Sequence, residues 1–180
     1  MKARRESVIV RRPVTVDRIP DGTTLELDPG TLGQITQALG SNFTLVVEGQ
    51  LVRLKGSDAD AIGKPVPAPE PEGDHGEMDL EARIWRTLAT CYDPEIPIDI
   101  VELGLVYRCE PGPLPDGRTR IEIDMTLTAP GCGMGDLLAE EVADKVLELP
   151  EVGEVKVNMV FDPPWDRSRM SEAAQLALGL

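Results

Sequence analysis

The sequence predicts an α+β protein in two parts, a small all-β module over residues 1–62 and an α+β domain over residues 78–180. Three observations lead there. Short β-branched or alternating runs separated by turn residues fill the first part. A stretch rich in proline and acid, residues 63–77, interrupts the chain. Beyond it the apolar residues change to helical spacing at Leu80, Ile84 and Leu88.

In the first part, Val14-Thr15-Val16, Thr24 to Leu27, Gly33 to Thr36, Phe43 to Val47 and Gln50 to Leu54 read as five strands. Pro20-Asp21-Gly22, Asp28-Pro29-Gly30, Gly40-Ser41-Asn42 and Glu48-Gly49 supply turn chemistry between them, the last pair as a tight hairpin. Five strands in so short a span suggest a barrel-like module. It carries no catalytic constellation, and a docking or stabilising role suits it best. Residues 63–77 alternate proline with acid and cannot bury enough apolar surface to fold, so they read as an extended linker. The one histidine, His75, lies there, where nothing holds a catalytic base rigidly.

The second part orders its elements helix–strand–strand–helix–strand–helix, which places helices on a mostly antiparallel sheet. A helix over 78–91 carries Leu80, Ile84, Leu88 and Cys91 on one stripe beside Trp85, and Pro94 and Pro97 stop it. Strands follow over 105–110 and 119–128, joined by a turn at 111–117. Ile121, Ile123, Met125 and Leu127 face one way there, with Glu122, Asp124 and Thr126 facing the other. A helix over 134–148 buries Leu138 and Val142. A strand over 154–161 and a last helix over 168–178, stopped by Gly179, complete the domain.

Composition narrows the function. Apolar residues make up 41% of the chain but aromatics only 3%, so the core is aliphatic. A formal charge of −14 repels anionic polymers, which argues against nucleic acid as partner. No apolar run approaches the roughly 20 residues of a membrane-spanning helix. The basic start, Met1 to Arg5, lacks the apolar stretch of a signal peptide, so a cytoplasmic protein is expected. Three cysteines without framework spacing fit a reducing compartment.

The chemistry concentrates in Thr128-Ala129-Pro130-Gly131-Cys132-Gly133-Met134-Gly135, where glycines surround a thiol between a strand and a helix. At a helix start, unpaired amides and the dipole favour negative charge, which lowers a cysteine pKa from about 8.5 toward the 3.5–7.5 range. The thiolate attacks electrophiles and binds soft metals. A small residue in a tight turn is the plainer account, but such a turn does not need three glycines. Phosphate binding fits poorly, because Asp136 stands where a cation is wanted. The acidic loop Asp93-Pro94-Glu95 is stiffened by Pro94 and Pro97 and offers carboxylates, although Asp93 closing a turn accounts for it equally. Cys109 reads as a core residue, and Cys91 divides evenly between packing and an auxiliary role. Asp162-Pro163-Pro164-Trp165 reads as a lid or partner surface, or as the entry to a helix capped by Asp166 or Ser168.

Together these segments resemble the iron–sulfur assembly domain family. The resemblance rests on Asp93-Pro94-Glu95-Ile96-Pro97 with Glu102-Leu103-Gly104-Leu105-Val106, then Met125 to Thr128 with Pro130-Gly131-Cys132, and Phe161 to Trp165. It covers about residues 78–180. The added module, through Gln37 to Gly40 and Thr44 to Gly49, is similar to the SufT members and extends the likeness to nearly the whole chain. The resemblance implies an accessory factor, not an enzyme, with Cys132 as reactive thiol and metal ligand, and with Asp93 and Glu95 in its acidic loop. No role carries over to Cys91 or Cys109. Iron or an iron–sulfur cluster would be held transiently, or not at rest, and the partners would be scaffold or carrier proteins and client apoproteins. A cubane cluster wants four thiolates. One good thiol per chain means sharing in a homodimer, carboxylate or small-thiol ligands, or rapid transfer. The competing readings are a cysteine-dependent redox or hydrolytic enzyme and a metal-free adaptor scaffold.

Overall fold

The computed structural model describes residues 5–39, 41–67, 78–93, 96–130 and 133–180. The chain divides into two compact units, Met1–Gly73 and Asp74–Leu180. Of the segment read as a linker, residues 68–77 lie outside the described residues, His75 among them.

The first unit has six strands: β1 (Glu6–Ile9), β2 (Val14–Arg18), β3 (Thr24–Leu27), β4 (Leu32–Leu39), β5 (Asn42–Val47) and β6 (Gln50–Lys55). A 3-10 turn over Gly56–Ile62 follows. The strand not foreseen is β1, which offers only two apolar residues and is defined by pairing with β4. The sheet order is β1-β4-β5-β6-β2-β3. Val10 N–H donates to Thr31 O at 2.9 Å and Gly30 N–H to Val10 O at 2.7 Å, so β1–β2 and β3–β4 run on as one bent ribbon. The sheet therefore wraps back on itself, in the barrel-like manner expected, around Val10, Val16, Leu45 and Leu54. Glu48 and Gly49 have φ of 50° and 79°, the two positive values a type I′ hairpin needs, between the paired Val47 and Gln50.

The second unit contains α1 (Leu80–Leu88), β7 (Val106–Pro113), β8 (Thr119–Met125), α2 (Met134–Leu147), β9 (Val152–Met159) and α3 (Glu172–Ala177), in the predicted order. Asp79 caps α1 by accepting from Ala82 N–H at 2.8 Å. The helix ends at Leu88, short of the 91 expected. Thr90 Oγ bonds back to Thr87 O and Cys91 N–H to Leu88 O, turning the chain away. The strand expected over 105–110 runs instead from Val106 to Pro113. It lies at the sheet edge, where Pro111 and Pro113 cost no ladder bond. The turn moves to 114–118, where Asp116 accepts from Arg118 N–H and Gly117 takes φ 85°.

Strand β8 is central, antiparallel to β7 and parallel to β9. The parallel pair follows from the helix between them, since a parallel connection needs a crossover. Ile121, Ile123 and Met125 are sealed under the helices. On the opposite face Arg108 binds Asp124 at 2.7 Å and Glu110 at 2.6 Å, and Asn158 donates to Asp124 at 2.8 Å. β9 ends at Met159, two residues before the expected limit. Val160 N–H makes a last bond to Met125 O, after which Phe161 is 46% exposed. The single helix expected over 168–178 is two pieces. Asp166 caps a 3-10 turn over Arg167–Arg169, and Ser171 caps α3. Between them Met170 is extended and buried, and burying that side chain breaks the helix.

Candidate functional site at the end of the central strand

The loop that leaves β8 enters α2, which crosses to the parallel strand β9. In open sheets with parallel strands, ligands gather at this carboxyl end. Two backbone bonds bracket the departure. Thr126 N–H donates to Leu105 O at 2.8 Å on one side, and Val160 N–H to Met125 O at 2.8 Å on the other. Leu127 is buried against α2, where a Cβ on Gly135 would lie 2.8 Å from Leu127 Cδ1. A side chain at 135 would have to push the end of Leu127 aside. Thr126 is 1% exposed and its hydroxyl has no hydrogen-bond partner among the described residues.

Thr128 is half-buried, while Ala129, Pro130 and Gly133 are exposed. Gly133 is the N-cap of α2 and provides no side-chain bond to the first-turn amides. These amides and the helix dipole therefore face the loop without a side-chain cap, and the exposed Asp136 sits in the first turn. Gly131 and Cys132 lie outside the described residues, as do Pro94 and Glu95. Cys132 directly precedes the uncapped Gly133 in the chain.

The acidic loop is closed at its base by the Tyr92–Asp99 bridge and by Ile100 N–H to Cys91 O at 2.9 Å. Asp93 is buried and accepts from Ile96 N–H at 3.2 Å, so its carboxylate shapes the loop. Asp99 accepts from Val101 and Glu102 N–H, both at 3.0 Å, and nucleates the turn that follows.

The turn Val101–Gly104 belongs to the stretch after the acidic loop that helps carry the family resemblance, but the sequence assigns its residues no role. Gly104 adopts φ 69°, and a Cβ there would lie 2.2 Å from Arg169 O. Trp165 Nε1 donates to Leu103 O at 2.7 Å. Ser171 N–H donates to Glu102 O at 2.8 Å, and its hydroxyl to the Glu102 carboxylate. Tyr107 hydroxyl donates to Pro163 O at 2.9 Å, and the Arg169 guanidinium lies 4.5 Å over the Tyr107 ring. Of the segment expected as a partner surface, Asp162, Pro163 and Pro164 are exposed, whereas Trp165 is half-buried and its N–H is spent internally. The signal in the sequence is Gly104, a glycine shortly after the rigid segment that ends at Asp99.

Burial pushes the Cys91 thiol up to about 12, with Lys145 only partly opposing it, and the half-buried Cys109 up to about 11. Both are protonated at neutral pH, and Cys91 packs inside the core. Among the described residues no three His, Cys, Asp or Glu side chains gather as a metal set. No helix among them is long and apolar enough to cross a membrane.

Residues 81–157 match the family model described as iron–sulfur cluster assembly protein. The Fe-S protein maturation auxiliary factor of Porphyromonas gingivalis is 42% identical over 102 residues, 57% of this chain and 93% of that protein. The Fe-S protein maturation auxiliary factor SufT of Staphylococcus aureus is 43% identical over 88 residues, 49% of this chain and 96% of its own length. The iron–sulfur cluster carrier protein of Mycobacterium tuberculosis is 35% identical over 81 residues, 45% of this chain and 20% of that protein. This chain belongs to the iron–sulfur cluster assembly protein family and is of the SufT type. The likeness to these relatives covers about half of it, not nearly the whole chain as the resemblance suggested.

Proposed function

We propose that the chain is a maturation factor for iron–sulfur proteins, assisting cluster assembly or transfer to client apoproteins, with Cys132 as the thiol that engages the cargo. One observation carries the reading. In a member of this family, the cysteine directly precedes the glycine N-cap of a fourteen-residue helix, and that glycine provides no side-chain cap. Amides and dipole placed this way favour the thiolate, a soft ligand for iron.

The donor set argues for passing cargo on. Cys91 and Cys109 are held protonated, so one chain lacks the four thiolates of a stable cubane site. A cluster would be shared by two copies, completed by the Asp93 and Glu95 carboxylates or small thiols, or handed on quickly. The same two thiols count against a redox enzyme, which wants a second reactive cysteine. A hydrolase wants a base near its nucleophile, and the one histidine stands in the proline-rich segment. An accessory role in the cytoplasm beside scaffold, carrier and client proteins fits best.

Anaerobic affinity capture of the full chain, with iron and sulfide measured in the eluate, tests the reading. Iron together with iron–sulfur proteins should elute with the wild type and drop away with Cys132→Ser. Equal iron with both proteins would rule out that thiol as the holder of cargo.

A further inference from the structure

We infer that the C-terminal segment, residues 162–171, is a positioning strap that fixes the common base from which the Cys132 loop and the Asp93 loop both rise. The inference rests on the functional reading above and adds residues to it. Three backbone bonds in series join the two loops. Ile100 N–H donates to Cys91 O at 2.9 Å, Leu105 N–H to Ile100 O at 3.0 Å, and Thr126 N–H to Leu105 O at 2.8 Å. The middle of this ladder is the Val101–Gly104 turn, and Ile100, Leu103 and Leu105 are each 0% exposed. A displacement of the turn therefore reaches both loops.

The strap holds this turn by its carbonyl oxygens. Trp165 Nε1 takes Leu103 O, Ser171 N–H takes Glu102 O, and the Arg169 backbone occupies the space a Gly104 side chain would fill. Tyr107, at the start of β7, ties down Pro163. Apolar attachment alone is already provided by Met170 and Ala174, both buried. The polar bonds add direction, which apolar burial does not give, and a site held within about 0.5 Å needs such directional support. Trp165 and Ser171 act through Leu103 and Glu102, which makes them positioning residues.

The test uses the full chain and reads the alkylation rate of Cys132 at neutral pH by peptide mass spectrometry, with thermal melting alongside. Trp165→Phe keeps a ring and removes only the N–H donor. Val152→Ala removes buried volume at the other end of the sheet and is the control for lost stability. Trp165→Phe should slow labelling about threefold or more, because a displaced loop loses thiolate stabilisation. Val152→Ala should label as the wild type does. Ser171→Ala, which removes the hydroxyl bond to Glu102 together with the α3 cap, should move the rate in the same direction by less, and it stands in if Trp165→Phe does not fold. Wild-type or faster labelling in both strap variants, or equal slowing in Val152→Ala, overturns the strap. Labelling reads the loop while captured iron reads cargo: unchanged labelling with iron still captured fails the strap alone, and slowed labelling with no iron captured by the wild type fails the functional reading alone.

Discussion

At one end of β8 the chain arrives through the turn 114–118, whose backbone groups are satisfied within itself: Leu114 with Arg118, Gly117 with Leu114, and Asp116 with Arg118. At the other end the strand is met by Leu105 and Val160, and Leu105 leads through Ile100 and the 101–104 turn to the acidic loop, Trp165 and Ser171, segments drawn from across the unit. Beyond itself, the first end meets the stretch 151–153, through Thr119 N–H to Glu151 O at 2.8 Å and the Leu114 and Arg118 side chains beside Gly153. The second couples distant segments through single backbone bonds, which is how a fold sets side chains of remote sequence to one geometry.

Glycines at the two ends measure the difference. Gly104→Ala places a Cβ against the Arg169 backbone at positive φ, and should cost roughly 2–4 kcal/mol. Gly117→Ala also suffers positive φ but meets open space, and should cost about 1 kcal/mol. Urea unfolding followed by tryptophan fluorescence reads this cleanly, because Trp85 and Trp165 both belong to the second unit. Equal costs would erase the distinction between the ends.

The thiols sharpen it next. Cys91 and Cys109 have folded pKa values above the ordinary thiol value of about 8.5. The folded state thus binds more protons than the unfolded chain above that pH. Their contribution to stability is complete below about 8.5 and is lost as pH rises toward the folded values of about 11 and 12. Alkaline unfolding should follow, and Cys91→Ala should flatten it. At neutral pH alkylation should reach Cys132 first, Cys109 slowly and Cys91 only on unfolding; early labelling of Cys91 would contradict its place in the core.

The smallest effect belongs to the open face of the sheet. Arg108, with Asn158 assisting, holds the Asp124 carboxyl below its usual range. Its contribution is present above about pH 3.9 and fades as pH falls through the lower folded value. Asp124→Asn should cost only about 0.5 kcal/mol at pH 7 and less in high salt, read from the same urea curves.

Much of this was legible in the residues. The alternation of Ile121, Ile123 and Met125 and the stripe through Leu138 and Val142 gave the elements and the core, because local periodicity follows burial directly. The type I′ hairpin at Glu48-Gly49 was legible for the same local reason. What stayed hidden depends on bonds between distant residues. β1 exists through β4, β9 pairs in parallel because α2 crosses over, and Trp165 turns inward because Leu103 O lies within reach. The ladder through Ile100 and Leu105 uses backbone groups alone and leaves no mark on side-chain identity beyond Gly104. For the site, the sequence marked Cys132, Asp93 and the stretch 102–106; the backbone bonds by which that stretch links the two loops appear only in the fold.

The most direct measurement is complementation. Cys132→Ser, first shown to melt as the wild type does, is expressed in a strain lacking its own copy of the factor, and iron–sulfur enzyme activity is assayed. The account predicts activity no higher than with an empty vector. Restoration to the wild-type level would contradict it.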